Sequence, residues 1–178
     1  MVFKLLKMKR GFTIIELLVS LGIFVIITTM VVANFRAGSR SDELKIAADA
    51  LSSDLRRAQN MALAGQEVNG VTPTGGYGVY FDLGEPGHYI IFADANDNQK
   101  YDVGEDLSDG KIVLARDVRI TGIQPLVTSS VVFKPPKPTI YINGDAAESI
   151  LAVTIKHSLS GKEKKVVINR VSGRIDVE

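Results

Sequence analysis

Apolar residues fill the chain almost without a break from Phe12 to Ala33, and the pattern then changes twice. The run Phe12-Thr-Ile-Ile-Glu-Leu-Leu-Val-Ser-Leu-Gly-Ile-Phe-Val-Ile-Ile-Thr-Thr-Met-Val-Val-Ala33 carries one charge, Glu16. It is long enough for a helix to cross the hydrocarbon of a bilayer. Beyond Arg36-Ala-Gly-Ser-Arg40, the acidic stretch Ser41-Asp-Glu-Leu44 restarts a helical pattern. Leu44, Ala48, Leu51, Leu55, Ala58 and Ala62 recur at spacings of four and three, which places them on one helix face. Lys45, Asp49, Ser52, Arg56 and Gln59 lie opposite, and Gly65 is placed to cap the end. The reading is one long helix, loosened at Gly38. Its first half is apolar all round; its second half is amphipathic and packs its stripe on the protein's own sheet.

After Gly65 the period shortens to two. Strands are predicted at Tyr77–Leu83, Tyr89–Ala93, Lys111–Ala115, Val118–Ile123, Ser130–Lys134, Thr139–Ile142, Leu151–Lys156, Lys165–Asn169 and Arg174–Val177. Turns fall at Glu85-Pro-Gly87, Pro135-Pro136, Asn143-Gly144, Ser160-Gly161 and Ser172-Gly173. Asn143-Gly144 is the strongest hairpin signal, although the next strand starts late. The fold class is α+β: a long N-terminal helix, transmembrane then amphipathic, on a mostly antiparallel head of about eight strands in two sheets.

Composition narrows the chemistry. The 178 residues suffice for one globular domain plus an appendage. A net charge of +1 gives no global attraction to nucleic acid. The absence of cysteine excludes disulfides, thiolate metal sites and cysteine nucleophiles. His88 and His157 have no ligand-like spacing and read as strand-surface histidines. Gly75-Gly76-Tyr77-Gly78 is followed by a strand rather than a helix, so it is not a phosphate loop. No nucleophile, base and orienting acid emerge together, and the chain reads as a non-enzyme.

The first ten residues hold Lys4, Lys7, Lys9 and Arg10 and no acid, so this flank stays cytoplasmic and the C-terminal bulk lies outside. Val32-Ala33-Asn34 is a poor signal-cleavage site, which predicts a retained anchor. Glu16 needs a separate account. A carboxylate in an apolar span costs about 2.5–3.5 kcal/mol at the helix centre, so it either snorkels to the interface or has a partner.

Lys9-Arg10-Gly11-Phe12-Thr13-Ile14-Ile15-Glu16-Leu17 resembles the processing site of type IV prepilins and type II secretion pseudopilins. The resemblance implies that a prepilin peptidase cuts after Gly11, that the new terminal Phe12 is methylated, and that residues 1–11 are a leader peptide. In a filament core, Glu16 of one subunit would then neutralise the Phe12 amine of its neighbour, since burying either charge alone is expensive. The remaining divisions are a transmembrane or filament-core helix at 12–35, an amphipathic helix at 36–65 and a β-rich head at 66–178. Ala47–Ala64, Gly76-Tyr-Gly-Val-Tyr-Phe81, the acidic loop after Phe92-Ala93 and Ser172-Gly-Arg-Ile175 resemble minor pseudopilins of the GspH type and minor pilins of the FimT and FimU type.

Two head segments could carry further chemistry. Asp94-Ala-Asn96-Asp97-Asn98-Gln99-Lys100-Tyr101-Asp102-Val-Gly-Glu105 has the oxygen spacing of a calcium loop. Asp94, Asn96 and Asn98 would be early ligands, the Lys100 carbonyl would follow and Glu105 would close the shell. Gln99 stands where such loops place glycine, and the alternative is a polar hairpin loop whose side chains bond their own backbone. Lys156, Lys162, Lys164, Lys165, Arg170 and Arg174 make the C-terminal third basic. The FimT-like resemblance makes Arg170 and Arg174 candidate nucleic-acid contacts; a solvated strand face is the plain alternative.

The expected function is a structural minor pseudopilin of a type II secretion pseudopilus, with a type IV minor pilin, including a DNA-uptake version, as alternative. A third reading is an unprocessed membrane-anchored binding domain. Expected partners are prepilin peptidase, other pilins or pseudopilins, the bacterial inner membrane and secreted cargo. No cofactor is required, calcium being the one candidate.

Overall fold

The computed structural model describes residues 11–136, 139–145 and 148–178. The basic residues of the expected leader, Lys4 to Arg10, lie outside the described residues. The chain divides into two units, Met1–Ser39 and Arg40–Glu178. Helix α1 (Ile14–Ala64) begins in the first and ends in the second. The loosening expected at Gly38 does not interrupt it; a lone glycine costs a helix only about 1 kcal/mol, too little to break so long a run. Its end follows a Schellman pattern. Gly65 adopts φ +59° and donates to the Ala62 carbonyl at 3.2 Å, while Gln66 donates to that of Met61 at 3.1 Å.

Among the described residues of the second unit, nine strands form two antiparallel sheets: β1 (Gly76–Asp82), β2 (His88–Asp94), β3 (Asp106–Val113), β4 (Val118–Gln124), β5 (Thr128–Lys134), β6 (Thr139–Ile142), β7 (Ile150–His157), β8 (Glu163–Asn169) and β9 (Ile175–Val177). The first sheet runs β3-β2-β1-β5-β6 and the second β4-β7-β8-β9. The predicted stripe is buried at all six positions, and Leu51 and Leu55 are fully covered. They share one core with Tyr77, Val79 and Phe81 of β1, Val131 and Phe133 of β5, and Leu151, Val153 and Ile155 of β7. Each fully buried leucine contributes about 1.5–3 kcal/mol relative to exposure. Ser52, expected on the polar face, is buried instead, because it lies one turn from Ala48 at the stripe's flank and is small enough to be enclosed.

One strand prediction is corrected by pairing. The third strand begins at Asp106 rather than Lys111. β3 is an edge strand whose pairing with β2 jumps from Ile90↔Lys111 to Phe92↔Asp106, so its polar first half was invisible to an alternation test. Gly110 allows this irregularity, since a Cβ there would sit 2.1 Å from the Ile91 carbonyl oxygen. Asn143-Gly144 does form a two-residue turn with φ 55° and 75°, yet the returning leg is a single bridge, Ile142↔Asp145. The chain then crosses to the second sheet.

Candidate functional site

At the N-terminal end of α1, Thr13 caps the helix. Its Oγ1 accepts the Glu16 N–H at 3.3 Å and its carbonyl accepts the Leu17 N–H at 3.1 Å. The spacing Thr13-x-x-Glu16 is that of a capping box, a signal in the sequence that the membrane reading passed over. Glu16 therefore sits in the first turn, where the helix dipole favours a carboxylate. Gly11, Phe12 and Glu16 are all exposed, and so is every apolar side chain from Ile14 to Phe35. The hydroxyls in this segment bond their own helix: Ser20 to the Glu16 carbonyl at 2.6 Å, Thr28 to Phe24 and Thr29 to Ile26 at 2.8 Å. That leaves them satisfied without water, as a hydrocarbon environment requires. The helix is long and apolar enough to cross a membrane.

In the second unit the acidic loop closes on itself. Asp94 is fully buried at the end of β2; its Oδ1 accepts the N–H groups of Asp97 at 2.8 Å and Asn98 at 3.3 Å, and its Oδ2 that of Gln99 at 2.8 Å. Glu105 receives the N–H groups of Ala95 and Asp102, at 3.0 and 3.1 Å. Asn96 and Asn98 both donate their side-chain amides to Asp102 Oδ2, at 2.7 and 2.6 Å, and Asn98 Oδ1 accepts the Lys100 N–H at 2.8 Å. Gln99 supplies the left-handed backbone that calcium loops obtain from glycine, with φ 58°. Lys134 holds the loop to β5 through Asp97 at 2.7 Å, and that bond pulls the Asp97 carboxyl below its usual range.

The candidate side chains share one loop, and the oxygens of Asp94, Asn96, Asn98 and Glu105 each accept backbone N–H groups. Among the described residues no group of three or more His, Cys, Asp or Glu side chains is arranged to hold a metal. A calcium ion gathering Asp94 would have to release three N–H donors. Asp94→Ala orphans those donors and lowers stability by about 1–3 kcal/mol, which urea melts of the full chain in detergent check. Repeating the melts with calcium chloride tests the ion directly.

Two family models match the chain, one within each unit. A family model described as type II transport protein GspH matches residues 47–173, and one for the prokaryotic N-terminal methylation motif matches residues 6–32. The chain belongs to the GspH family. No curated protein and no solved structure matches it. A GspH-family chain with this motif is a type II secretion pseudopilin or a minor pilin. The methylation motif spans Gly11, Phe12 and Glu16, and the GspH match begins at Ala47, inside the buried stripe.

The other candidate residues of this GspH-family head are structurally engaged. Arg170 and Arg174 lie on the β8–β9 turn; Arg170 donates to the Glu148 carbonyl at 2.8 Å and Arg174 pairs with Asp176 at 2.7 Å. Lys156 pairs with Glu163 at 2.7 Å. His157, expected on a strand surface, is buried instead. Its Nδ1 accepts the Ser160 N–H and its Nε2 lies 3.3 Å from Glu43 of α1, so it joins the β7–β8 hairpin to the helix. His88 is half-buried, its Nε2 3.1 Å from Glu85.

Proposed function

We propose that this chain is made as a precursor, cut between Gly11 and Phe12 by a prepilin peptidase, methylated on the Phe12 amine and built into a type II secretion pseudopilus. Before assembly the inner membrane stores it through the apolar half of α1, with the head outside the cytoplasm. Its work is mechanical rather than catalytic, in keeping with a family of structural subunits. One observation carries the reading: an apolar helix segment without protein cover holds its single carboxylate four residues after the proposed new terminus. Lipid covers that surface in the stored subunit, and neighbouring helices cover it in the filament. Contacts with other pseudopilins run through this helix, while the head remains available for neighbouring subunits or secreted cargo.

Intact-mass measurement of the chain co-produced with an active prepilin peptidase tests the proposal, with Gly11→Ala as control. The expected product lacks Met1–Gly11 and carries a methyl group on Phe12, and the control stays at precursor mass. An uncut, unmethylated chain beside a reference substrate that is cut overturns the proposal and leaves a membrane-anchored binding domain.

A further inference from the structure

The acidic loop does more than close on itself: it delivers Tyr101 to the outer face of the first sheet. There Tyr101 stacks on Tyr80 of β1 with ring centroids 4.7 Å apart and planes 28° from parallel, and it meets Phe92 edge-on at 5.4 Å. The Tyr101 N–H donates to Ser130 Oγ at 3.1 Å, which fixes the ring's position. Beside this pair the β1–β2 turn brings two carboxylates. Asp82 is fixed by the Gly84 N–H at 2.7 Å, and Glu85 lies against His88. The result is a cleft of about 210 Å³ lined by Tyr80, Asp82, Glu85, His88, Tyr89, Ile90 and Tyr101.

Three features define what this cleft can accept. Its lining holds two carboxylates and no lysine or arginine. Its volume is below that of ordinary small-molecule pockets and suits the head of one side chain. Its wall is a stacked aromatic pair, which attracts a planar cation more than a compact one. Burial, followed by the charges of Asp82 and Glu85, pushes the Tyr80 phenol above its ordinary range, consistent with both carboxylates facing the ring.

We propose that this cleft is a docking socket for an arginine side chain presented by a partner protein. The guanidinium stacks on the Tyr80–Tyr101 pair and donates to Asp82 and Glu85; lysine makes the ion pair but not the stack. The socket does not depend on leader cleavage, so it stands or falls separately from the processing reading.

The test is ¹⁹F NMR of the full chain labelled with fluorotyrosine, in detergent micelles, titrated with a blocked Gly-Ser-Arg-Ser-Gly peptide. Of the five tyrosines, Tyr80 and Tyr101 shift saturably while Tyr77, buried and outside the cleft lining, stays still. Replacing the peptide's arginine by neutral, isosteric citrulline weakens binding about tenfold or more, and so does the Asp82→Asn, Glu85→Gln double variant. The citrulline comparison needs no altered protein, so a poorly folding variant does not blunt the test. Absence of a saturable shift, or an equal response to citrulline, overturns the proposal. Tighter binding of free spermidine than of the peptide reassigns the cleft to soluble polyamines and also overturns protein docking.

Discussion

Gly76→Ala is expected to lower the melting temperature of the full chain in detergent by about 10 °C or more, whereas Gly70→Ala lowers it by only a few degrees. Both glycines have positive φ, +99° and +77°. A side chain at either one strains the backbone, by about 1–3 kcal/mol. They differ in what surrounds the missing Cβ. At Gly70 nothing lies within 4 Å, so backbone strain is the whole cost. At Gly76 a Cβ would lie 2.2 Å from the Phe133 carbonyl oxygen, a backbone atom that cannot turn away. Strands β1 and β5 would have to part in the middle of the five-stranded sheet, adding an overpacking penalty of roughly 1–3 kcal/mol or more. Thermal melts followed by circular dichroism decide the matter. Equal small losses in the two variants would mean that the sheet yields at this point.

The glycine cluster shows where sequence reading stops. Gly75-Gly76-Tyr77-Gly78 is legible as strand rather than phosphate loop, but the need for three glycines is not. A Cβ on Gly75 would strike the Asp94 carboxyl, and one on Gly78 would lie 2.6 Å from both the Phe92 ring and the Val131 carbonyl. All these neighbours are distant in sequence. Local period, by contrast, was informative: the six-residue stripe of α1 and most strand positions followed from spacings of four, three and two. The polar half of β3 escaped because an edge strand with a shifted register need not alternate. His157 escaped because the position of Glu43 opposite it is set by how the helix meets the β7–β8 hairpin. The candidate sites divide the same way. Gly11, Phe12 and Glu16 lie within six residues and are readable as a motif. The tyrosine cleft draws on two strands, a turn and a returning loop, and no local pattern announces it.

Glu16→Leu is expected to abolish filament assembly, reducing the sheared pseudopilus fraction about 100-fold or more, while leaving the amount of membrane-inserted protein unchanged or higher. The two effects have opposite signs because the carboxylate plays opposite roles in the two surroundings. In lipid it is a burden, and removing it makes the helix easier to insert. Between packed helices the proposed Phe12 amine loses water and needs a counter-charge; without one, a buried unpaired charge costs on the order of 3 kcal/mol, or about a hundredfold in equilibrium. Glu16 also occupies the N3 position of the Thr13 cap, so loss of capping must be separated from loss of charge. Thr13→Ala removes the cap at about 1 kcal/mol and keeps the carboxylate. Glu16→Gln keeps the backbone N–H that Thr13 receives and removes the charge. Charge pairing predicts that Glu16→Gln fails nearly as badly as Glu16→Leu and that Thr13→Ala still assembles. If Thr13→Ala fails and Glu16→Gln assembles, the carboxylate serves the helix terminus alone, and the amine must find its counter-charge elsewhere.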